Sequence, residues 1–356
     1  MPDQLKIVHL PVYHDNAYQK LLMGELRKLG HEVIDGGGGG NFLRTCLFKW
    51  KPDILHLHWP HPYMIKSSLI GSWLRSCRLI MELKIIQMTG TKLVWTVHNL
   101  VSHDSRYPHT EKYFLRKLSN LVDRIIIHEK SAIQVVSEHL TIRNPEIISV
   151  IPHGNYIGYY PDNVTREQAR SELNLKPGAL VLLFIGQIRP YKGVSELISA
   201  FKRLNSDNLE LIIAGAVTSQ NLLEELNNMI SGDSRIRFYP GYIEDNKLQY
   251  YFRVADLVVL PYKNVLTSSS LVLAMGFDCC CLVPDLGILA ETVGHDAGFV
   301  YDPKTHGSFQ NELENIFKNT WSFHEKGVIA RKRVEMWSFN DAANITDKIY
   351  HEALLN

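Results

Sequence analysis

Two cations stand at the start of a predicted helix, where positive charge is normally unfavourable. An apolar run over 181–185 ends at Gly186, Arg189 and Lys192 follow, and helical spacing begins at Val194. The positive end of the helix dipole would repel both side chains. An anion lying between them would make the arrangement favourable, so the pattern predicts a phosphate site. A solvated pair of loop residues is the alternative interpretation.

A second predicted helix start adds hydroxyl groups to this chemistry. Its candidate residues are Ser268, Ser269, Ser270 and Leu271. Backbone N–H groups at such a helix start can bind a phosphate, whereas ordinary N-capping by serine is the alternative, and the two can coexist. Fixed positive charge would stabilise a departing phosphate without help from a metal ion. The sequence contains no Asp-x-Asp motif, so we predict no metal and no cofactor.

Alternating apolar and helical segments must position these residues. Such alternation predicts parallel sheets covered by helices on both faces. It occurs twice, so we expect an α/β protein with two doubly wound, Rossmann-like domains, 1–154 and 155–340, and a last helix at about 341–356 that crosses back to the first. The predicted strands are 5–10, 32–34, 53–58, 93–97, 124–127 and 149–151, then 180–185, 209–213, 236–238, 257–260, 279–283 and 298–300.

Polar residues follow several of these strands. In doubly wound domains ligands bind at the carboxyl ends of strands. His98 follows the strand at 93–97, and His58 with Trp59 follows the strand at 53–58. Histidine titrates near neutral pH and can act as a general base, although a buried structural histidine is the alternative. Five glycines at 36–40 are interpreted as a mobile loop and not as a phosphate cradle.

Composition excludes several classes of protein. The chain has 356 residues and a formal net charge of +1, so bulk attraction to nucleic acid is not expected. Neither a long apolar span nor a signal-peptide pattern occurs, so we expect a cytoplasmic protein. Five cysteines form no disulfide or metal framework, and the run 279–281 is predicted to be core in a reducing compartment.

Segment 66–92 carries five basic residues and one acidic residue, with apolar residues at helical spacing over 69–80. A basic amphipathic helix of this kind can lie on an anionic membrane. Packing of the same apolar stripe on the domain's own sheet is the alternative. The segment therefore predicts either peripheral contact with the inner membrane face or an ordinary surface helix.

The order of short motifs resembles the GT-B glycosyltransferases, and within them the large retaining family numbered 4. The resemblance covers nearly the whole chain. It implies two domains facing across a cleft, with the acceptor bound by the first domain and a nucleotide sugar by the second. The motifs are GHEV at 30–33, KPDILHLHW at 51–59, TVHN at 96–99, VIPHGN at 150–155, IGQIRPYKG at 185–193, IAG at 213–215, IRFYPGYI at 236–243, ADLVVLPY at 255–262 and LAMGFDCCCLVPDLG at 273–287.

The resemblance also implies roles for individual residues. His98 would contact the donor sugar, and the backbone at Tyr242 would lie near the base of the nucleotide. His58, Trp59 and Asn16 are the acceptor-binding candidates. Trp rings often stack on sugar faces, and core packing of His58 and Trp59 is the alternative. The donor-binding candidates are Gly186, Arg189, Lys192, Tyr242, Ser268, Ser269, Ser270 and Leu271, and the catalytic candidates are His98, Arg189 and Lys192.

The sequence departs from this family at four positions. The usual pair of glutamates would fall at Val265 and Leu273, neither of which is acidic. The arginine that often follows the strand-ending glycine is Gln187, so Arg189 is expected to supply that cation. Tyr156 stands where an aspartate often follows the glycine between the domains. These departures put the donor and the retaining outcome in doubt.

We therefore predict a transferase that moves a hexose to a glycan or lipid-linked sugar in polysaccharide synthesis. The expected donor is UDP-glucose or another UDP-hexose, used with retention and without metal. If the reaction instead inverts the anomeric centre, His98 is the candidate base. The alternatives are a GDP-mannose-dependent mannosyltransferase, a sugar-nucleotide epimerase, and a non-catalytic sugar-nucleotide-binding partner of a polysaccharide assembly, which the missing glutamates favour.

Overall fold

Two structural units divide the chain. Residues Met1–Gly154 with Trp337–Asn356 form the first unit, and Asn155–Met336 form the second. The structure is a computed structural model, and it describes residues 4–38, 41–100, 102, 105–318 and 323–355. Two residues of the predicted glycine loop, Gly39 and Gly40, lie outside the described residues.

Each unit contains a six-stranded sheet in which all paired neighbours run parallel. The first sheet comprises β1 Lys6–Leu10, β2 Glu32–Asp35, β3 Ile54–Leu57, β4 Lys92–Thr96, β5 Arg124–Ile127 and β6 Ile148–Val150, in the order β2-β1-β3-β4-β5-β6. The second comprises β7 Leu180–Ile185, β8 Leu209–Ala214, β9 Ile236–Tyr239, β10 Leu257–Val259, β11 Cys280–Pro284 and β12 Gly298–Tyr301, in the order β12-β11-β10-β7-β8-β9.

Helices connect the strands and cover the sheets. The first unit contains α1 Ala17–Lys28, α2 Phe42–Thr45, α3 Leu69–Gln87, α4 Pro108–Ser119 and α5 Ala132–Leu140. The second contains α6 Arg166–Glu172, α7 Val194–Arg203, α8 Gln220–Ile230, α9 Leu248–Val254, α10 Ser269–Gly276, α11 Ile288–Ala297, α12 Ser308–Lys318 and α13 Phe323–Glu335. The last helix, α14 Phe339–Leu355, packs against α1 of the first unit.

Both sheets are buried because their strands are apolar runs that face helices on each side. Every residue of β3 and β8 is buried. The cysteine run 279–281 is also buried, as predicted. Two parallel α/β sheets therefore confirm the predicted fold class, and no predicted strand end differs from the observed one by more than one residue.

The apolar stripe of α3 leaves several of its side chains exposed. Ile70 and Leu74 are 75% and 68% exposed, and Trp73 is 45% exposed. The face that packs inward instead carries Ser72, Ser76, Leu79, Leu83 and Ile86, because small serines allow the helix to approach closely. The helix thus packs on its own unit through this second face, and Trp73 of the stripe packs edge-on against Phe114 of α4 with ring centroids 4.9 Å apart, while Ile70 and Leu74 stay exposed. Among the described residues no helix is long and apolar enough to span a membrane.

The strand orders place one switch point in each sheet. In the first sheet the chain passes from β1 to its neighbour β2 and then crosses to β3 on the other side of β1. In the second sheet it passes from β7 through β8 to β9 and then crosses to β10 on the other side of β7. Ligands of doubly wound domains bind at the carboxyl ends of strands beside such points. The fold thus marks the loops after β1, β3, β7 and β10 as candidate sites.

Candidate active site

The loop after β7 brings a cation and a hydroxyl to the end of that strand. Gly186 has a φ of 128°, and a Cβ placed on it would lie 3.1 Å from Ser270 Oγ and 3.5 Å from Lys192 Nζ. Both polar groups therefore lie against the Gly186 backbone, where a side chain would push them away. Gly186, Lys192 and Ser270, which were predicted to bind phosphate, meet at the switch point of the second sheet.

Uncharged neighbours orient the two predicted cations. Arg189 is half-buried, and its Nε donates to Gln187 Oε1 at 2.9 Å. Lys192 Nζ lies 5.3 Å from the centre of the Tyr262 ring, within reach of a cation–π interaction. These contacts orient both side chains at the end of β7.

The three serines at the start of α10 have different contacts. Ser268 Oγ accepts a hydrogen bond from the Leu271 N–H at 3.2 Å, which confirms the capping interpretation and occupies that N–H. Ser269 is hydrogen-bonded to the buried Tyr156 side chain. Ser270 is the serine whose hydroxyl lies against Gly186. The Leu271 side chain is buried, so it offers little to a ligand.

Gly193 holds the loops after β7 and β10 together, which a substitution can test. Its φ is 72°, and an added Cβ would overlap the Pro261 carbonyl oxygen. We expect Gly193→Ala to destabilise the second unit by about 2–4 kcal/mol, combining left-handed strain with overpacking. Gly178 has the same φ with open space around it, so Gly178→Ala should cost only about 1–2 kcal/mol. Urea unfolding measures both, and equal losses would contradict the coupling of the loops.

Three buried histidines form a hydrogen-bonded chain at the carboxyl edge of the first sheet. His9 Nδ1 lies 2.8 Å from His58 Nε2, and His58 Nδ1 lies 3.2 Å from His98 Nε2. They belong to β1 or follow β3 and β4, which are neighbours, so the strand order places them in a row. In each link one ring must donate and the other accept, so the chain couples the tautomers of all three rings.

His98, the last of the three hydrogen-bonded histidines, is packed on several sides by other rings. The Trp59 ring stacks on His98 with centroids 4.3 Å apart, and the Tyr18 ring meets it edge-on at 5.1 Å. His98 is 7% exposed, and its Nδ1 makes no hydrogen bond with any described residue. The imidazole is therefore fixed in orientation, with one nitrogen engaged and the other available.

Burial keeps this cluster uncharged at neutral pH. Desolvation, followed by the neighbouring histidines His128 and His58, holds the pKa of His98 well below its usual range. Desolvation also lowers the pKa of His9 to about 3 and that of His128 to about 4. The His98 ring is therefore neutral and carries a lone pair, which is the protonation state that a general base needs before it reacts.

A metal ion does not suit the innermost histidines. The nitrogens of His9, His56 and His58 lie within 4.8 Å of one another. However, His56 bonds Tyr350 Oη at 2.6 Å and Thr96 Oγ1 at 2.7 Å, so both of its nitrogens are engaged. The His56 and His58 rings also stack at 4.3 Å, whereas ligand lone pairs must converge on one point. We interpret the group as a hydrogen-bonded core cluster.

The remaining predicted residues have mixed surroundings. Asn16 caps α1, because its Oδ1 accepts from the Gln19 N–H at 3.0 Å. His153, in the VIPHGN motif, is buried, with its Nδ1 bonded to the Gly154 carbonyl at 2.9 Å. Tyr242 is 71% exposed in the loop after β9. His58 lies beneath His98 and not at an open surface, whereas Trp59 is half-buried beside it.

Comparisons with known proteins identify the family. A sequence model described as Glycosyl transferases group 1 matches residues 165–333. A GDP-mannose:glycolipid 4-beta-D-mannosyltransferase of Xanthomonas campestris pv. campestris is 31% identical over 253 residues, covering 70% of this chain and 67% of that protein. The chain belongs to this glycosyltransferase family. The resemblance found in the sequence is thereby confirmed, and the protein is an enzyme.

Solved structures extend the comparison to the whole fold. Sucrose-phosphate synthase from Thermosynechococcus elongatus superposes with a TM-score of 0.75 at 16% identity, over 98% of each chain. Anabaena HepE in complex with UDP and glucose gives a TM-score of 0.72 at 16% identity, over 97% of this chain and 98% of that one. At such identities the likeness concerns the fold, which is that of GT-B glycosyltransferases.

Sequence reasoning missed part of the glycosyltransferase's histidine cluster. His9, His56 and His128 were not singled out, although His56 and His58 stand two positions apart at the end of one predicted strand and His9 lies one residue before the end of another. Alternation places His56 and His58 on the same face of the sheet, which is a usable signal. Their contact with His98 depends on which strands are neighbours in the sheet, and a single sequence does not show the strand order.

Proposed function

We propose that this glycosyltransferase transfers mannose from GDP-mannose to a lipid-linked sugar, with inversion at the anomeric carbon and His98 as the base. The observation that carries the proposal is the fixed, neutral His98 with an available Nδ1. The name of the relative from Xanthomonas campestris supports it, since it specifies GDP-mannose, a glycolipid and a β-linked product. Mannose in GDP-mannose is α-linked, so a β-linked product requires inversion.

An inverting transfer needs a base that removes the proton of the acceptor hydroxyl. In an inverting displacement the acceptor oxygen attacks the anomeric carbon, and the bond from that carbon to the phosphate oxygen breaks. The acceptor proton passes to His98 Nδ1, and the leaving electron pair stays on GDP. A retaining enzyme would need no such base, because the leaving phosphate can take the proton.

The second unit supplies the charge that the leaving group requires. Lys192 and Ser270 lie at the end of β7, with Arg189 in the same loop, so a diphosphate there would meet fixed positive charge as its own charge grows. Arginine can grip phosphate bidentately, and lysine acts as a point charge. The positions of the usual glutamates remain apolar, with Val265 in a loop and Leu273 in α10. The donor is therefore held chiefly through its diphosphate.

A lipid-linked acceptor fits the exposed face of α3. Ile70, Trp73 and Leu74 form an apolar surface on a helix that also carries Arg75 and Arg78. Such a surface can enter the headgroup region of a membrane while the basic side chains meet anionic lipid. We therefore include peripheral contact with a membrane in the proposed function.

Calorimetric titration with GDP, UDP and ADP, without added metal, tests the donor. We expect GDP to bind best and the Arg189→Ala/Lys192→Ala variant to lose affinity by at least about 100-fold, because two charge-assisted contacts are removed. A Lys263→Ala variant is a matched control, since Lys263 lies in the loop after β10 but pairs with Glu196 at 2.5 Å. Preference for UDP would instead support the UDP-hexose prediction, which stays open to this measurement.

The products of turnover separate the other interpretations. A new β-mannoside supports the proposal, and an α-linked product contradicts inversion. An epimerised sugar nucleotide would indicate the epimerase. Binding of a sugar nucleotide with neither transfer nor hydrolysis would indicate the non-catalytic partner.

A further inference from the structure

A groove of about 470 Å³ lies in the first unit beside α3. Its position follows from the loops that form it. Tyr63 belongs to the short turn His61–Tyr63 after β3, and its hydroxyl donates to the Gly37 carbonyl, after β2, at 3.4 Å. The Tyr63 ring packs edge-on against Phe42 with centroids 5.6 Å apart. The groove therefore opens at the carboxyl edge of the sheet, on the same connection as Trp59.

Positive charge dominates the walls of this groove. Lys66, Arg75 and Arg78 line it, with Glu82 as the acidic residue of the lining. Glu82 is buried and accepts from Arg78 Nε at 2.6 Å, which anchors that guanidinium. Arg75 lies near enough to the Tyr63 phenol to oppose the rise in its pKa that burial causes. Because Arg78 pairs with Glu82, Lys66 and Arg75 are the two cations of the lining that can bind an anionic ligand.

The first turn of α3 adds to this positive environment. A Cβ placed on Gly71 would lie 3.5 Å from Lys66 Cδ, so the lysine stem crosses the start of the helix. The first turn contains no acidic residue, and the helix is 19 residues long. The helix dipole and the lysine therefore act on the same region, which favours an anion with more than one negative charge.

The rim of the groove is apolar on one side. Leu74 both lines the groove and is 68% exposed, and Ile70 is 75% exposed one turn earlier. These side chains belong to the surface that we propose to contact the membrane. A ligand that enters here meets cations inside and hydrocarbon outside, which is the pattern of an amphiphilic anion at a lipid surface.

We propose that this groove binds the diphosphate that joins the acceptor sugar to its lipid. The inference rests on the lipid-linked acceptor of the proposed function and assigns a site to its headgroup. Arg75 and Lys66 hold the phosphate oxygens, and Leu74 with Ile70 faces the lipid chain. Because the groove and Trp59 share the connection after β3, a sugar attached to that diphosphate lies on the side of the sheet edge that carries His98.

Vesicle binding by the full chain tests the site. The probes are phosphatidylcholine vesicles that contain a polyprenyl diphosphate, or phosphatidylglycerol at equal charge. We expect tighter binding to the polyprenyl diphosphate, and a loss of at least about tenfold in the Lys66→Ala/Arg75→Ala variant. The control Lys84→Ala/Lys117→Ala removes two exposed cations of the same unit outside the groove lining, and should change this affinity by less than about threefold.

Several results would overturn the proposal. Equal losses in both double variants, or equal binding to both kinds of vesicle, would mean general attraction to anionic surfaces. Displacement by free inorganic pyrophosphate at the same concentration as the lipid would mean a phosphate site without a lipid requirement. Because these measurements use no nucleotide, their failure leaves the GDP titration untouched. Unchanged hydrogen-exchange protection of β1, β3 and β4 in the variants shows that their first unit is folded.

Discussion

His98→Ala should slow sugar transfer by about 100- to 10,000-fold, the range of a lost general base, while GDP affinity stays unchanged. The reason is the separation of roles between the units. GDP would be held by the loops after β7 and β10 of the second unit, whereas His98 follows β4 of the first. Steady-state transfer rates together with calorimetric GDP binding measure the two effects independently.

Two further readouts distinguish a base from a merely structural histidine. Imidazole added to His98→Ala should restore part of the rate, because it can occupy the space left beside Trp59 and accept the proton. His14→Ala is the matched control, since the His14 side chain is 83% exposed in the same unit, and it should retain full activity. An unchanged rate in His98→Ala, or an α-linked product, would exclude His98 as the base of an inverting reaction.

The first unit should lose stability steeply as the pH falls below about 6.5, before the second unit does. His9 and His153 have their pKa values lowered to about 3, and His128 to about 4, in each case chiefly by desolvation. Burial also lowers the pKa values of His56, His58 and His98. Between these values and 6.5 the unfolded chain binds protons that the folded chain does not, so acid favours unfolding.

The size of this effect follows from the number of groups. Each such histidine contributes a slope of about 1.4 kcal/mol per pH unit, so three of them give about 4 kcal/mol per unit. Typical domain stabilities are about 5–15 kcal/mol, so the first unit should unfold between about pH 6 and 4. Most carboxylates stay ionised above pH 5, which leaves histidine as the dominant source of the slope between pH 6.5 and 5.

Hydrogen exchange read by mass spectrometry at pH 7.5, 6.5 and 5.5, corrected for intrinsic rates, measures this loss in each unit separately. The buried histidines among the described residues all belong to the first unit, so the second unit is an internal control. Protection should fall in β1, β3 and β4 while β7 and β8 keep theirs. Parallel loss in both units, or no loss above pH 5, would contradict the prediction.

In the second unit, residues that the sequence predicted to bind phosphate lie close together in the structure. Gly186 and Lys192 are separated by only six positions, and Ser268 starts the helix that follows the next strand end. Local rules of strand ends and helix caps therefore led to residues that meet in space. The different contacts of the three serines could not be predicted from the sequence, because they depend on the folded structure. Ser268 contacts Leu271, Ser269 contacts Tyr156, and Ser270 contacts Gly186.

Segment 66–92 shows where such local rules fail. Its helix and its apolar stripe are visible in the sequence, but the stripe fits equally well against a sheet or on a surface. Tertiary packing decided which side chains are exposed, since Ser72 and Ser76 face inward and Ile70 and Leu74 outward. The basic groove beside Tyr63 likewise needs α3 to lie next to the turn after β3.

The sequence by itself determined the alternation of strands and helices, the two sheets, the family and the cations after β7, because these depend on the order and spacing of nearby residues. Only the tertiary structure decided that the side chains of His9, His58 and His98 are linked by hydrogen bonds. They lie 40 or more positions apart, and the order β1-β3-β4 brings them together. Burial, which lowers the pKa of each ring, also exists only after the chain has folded.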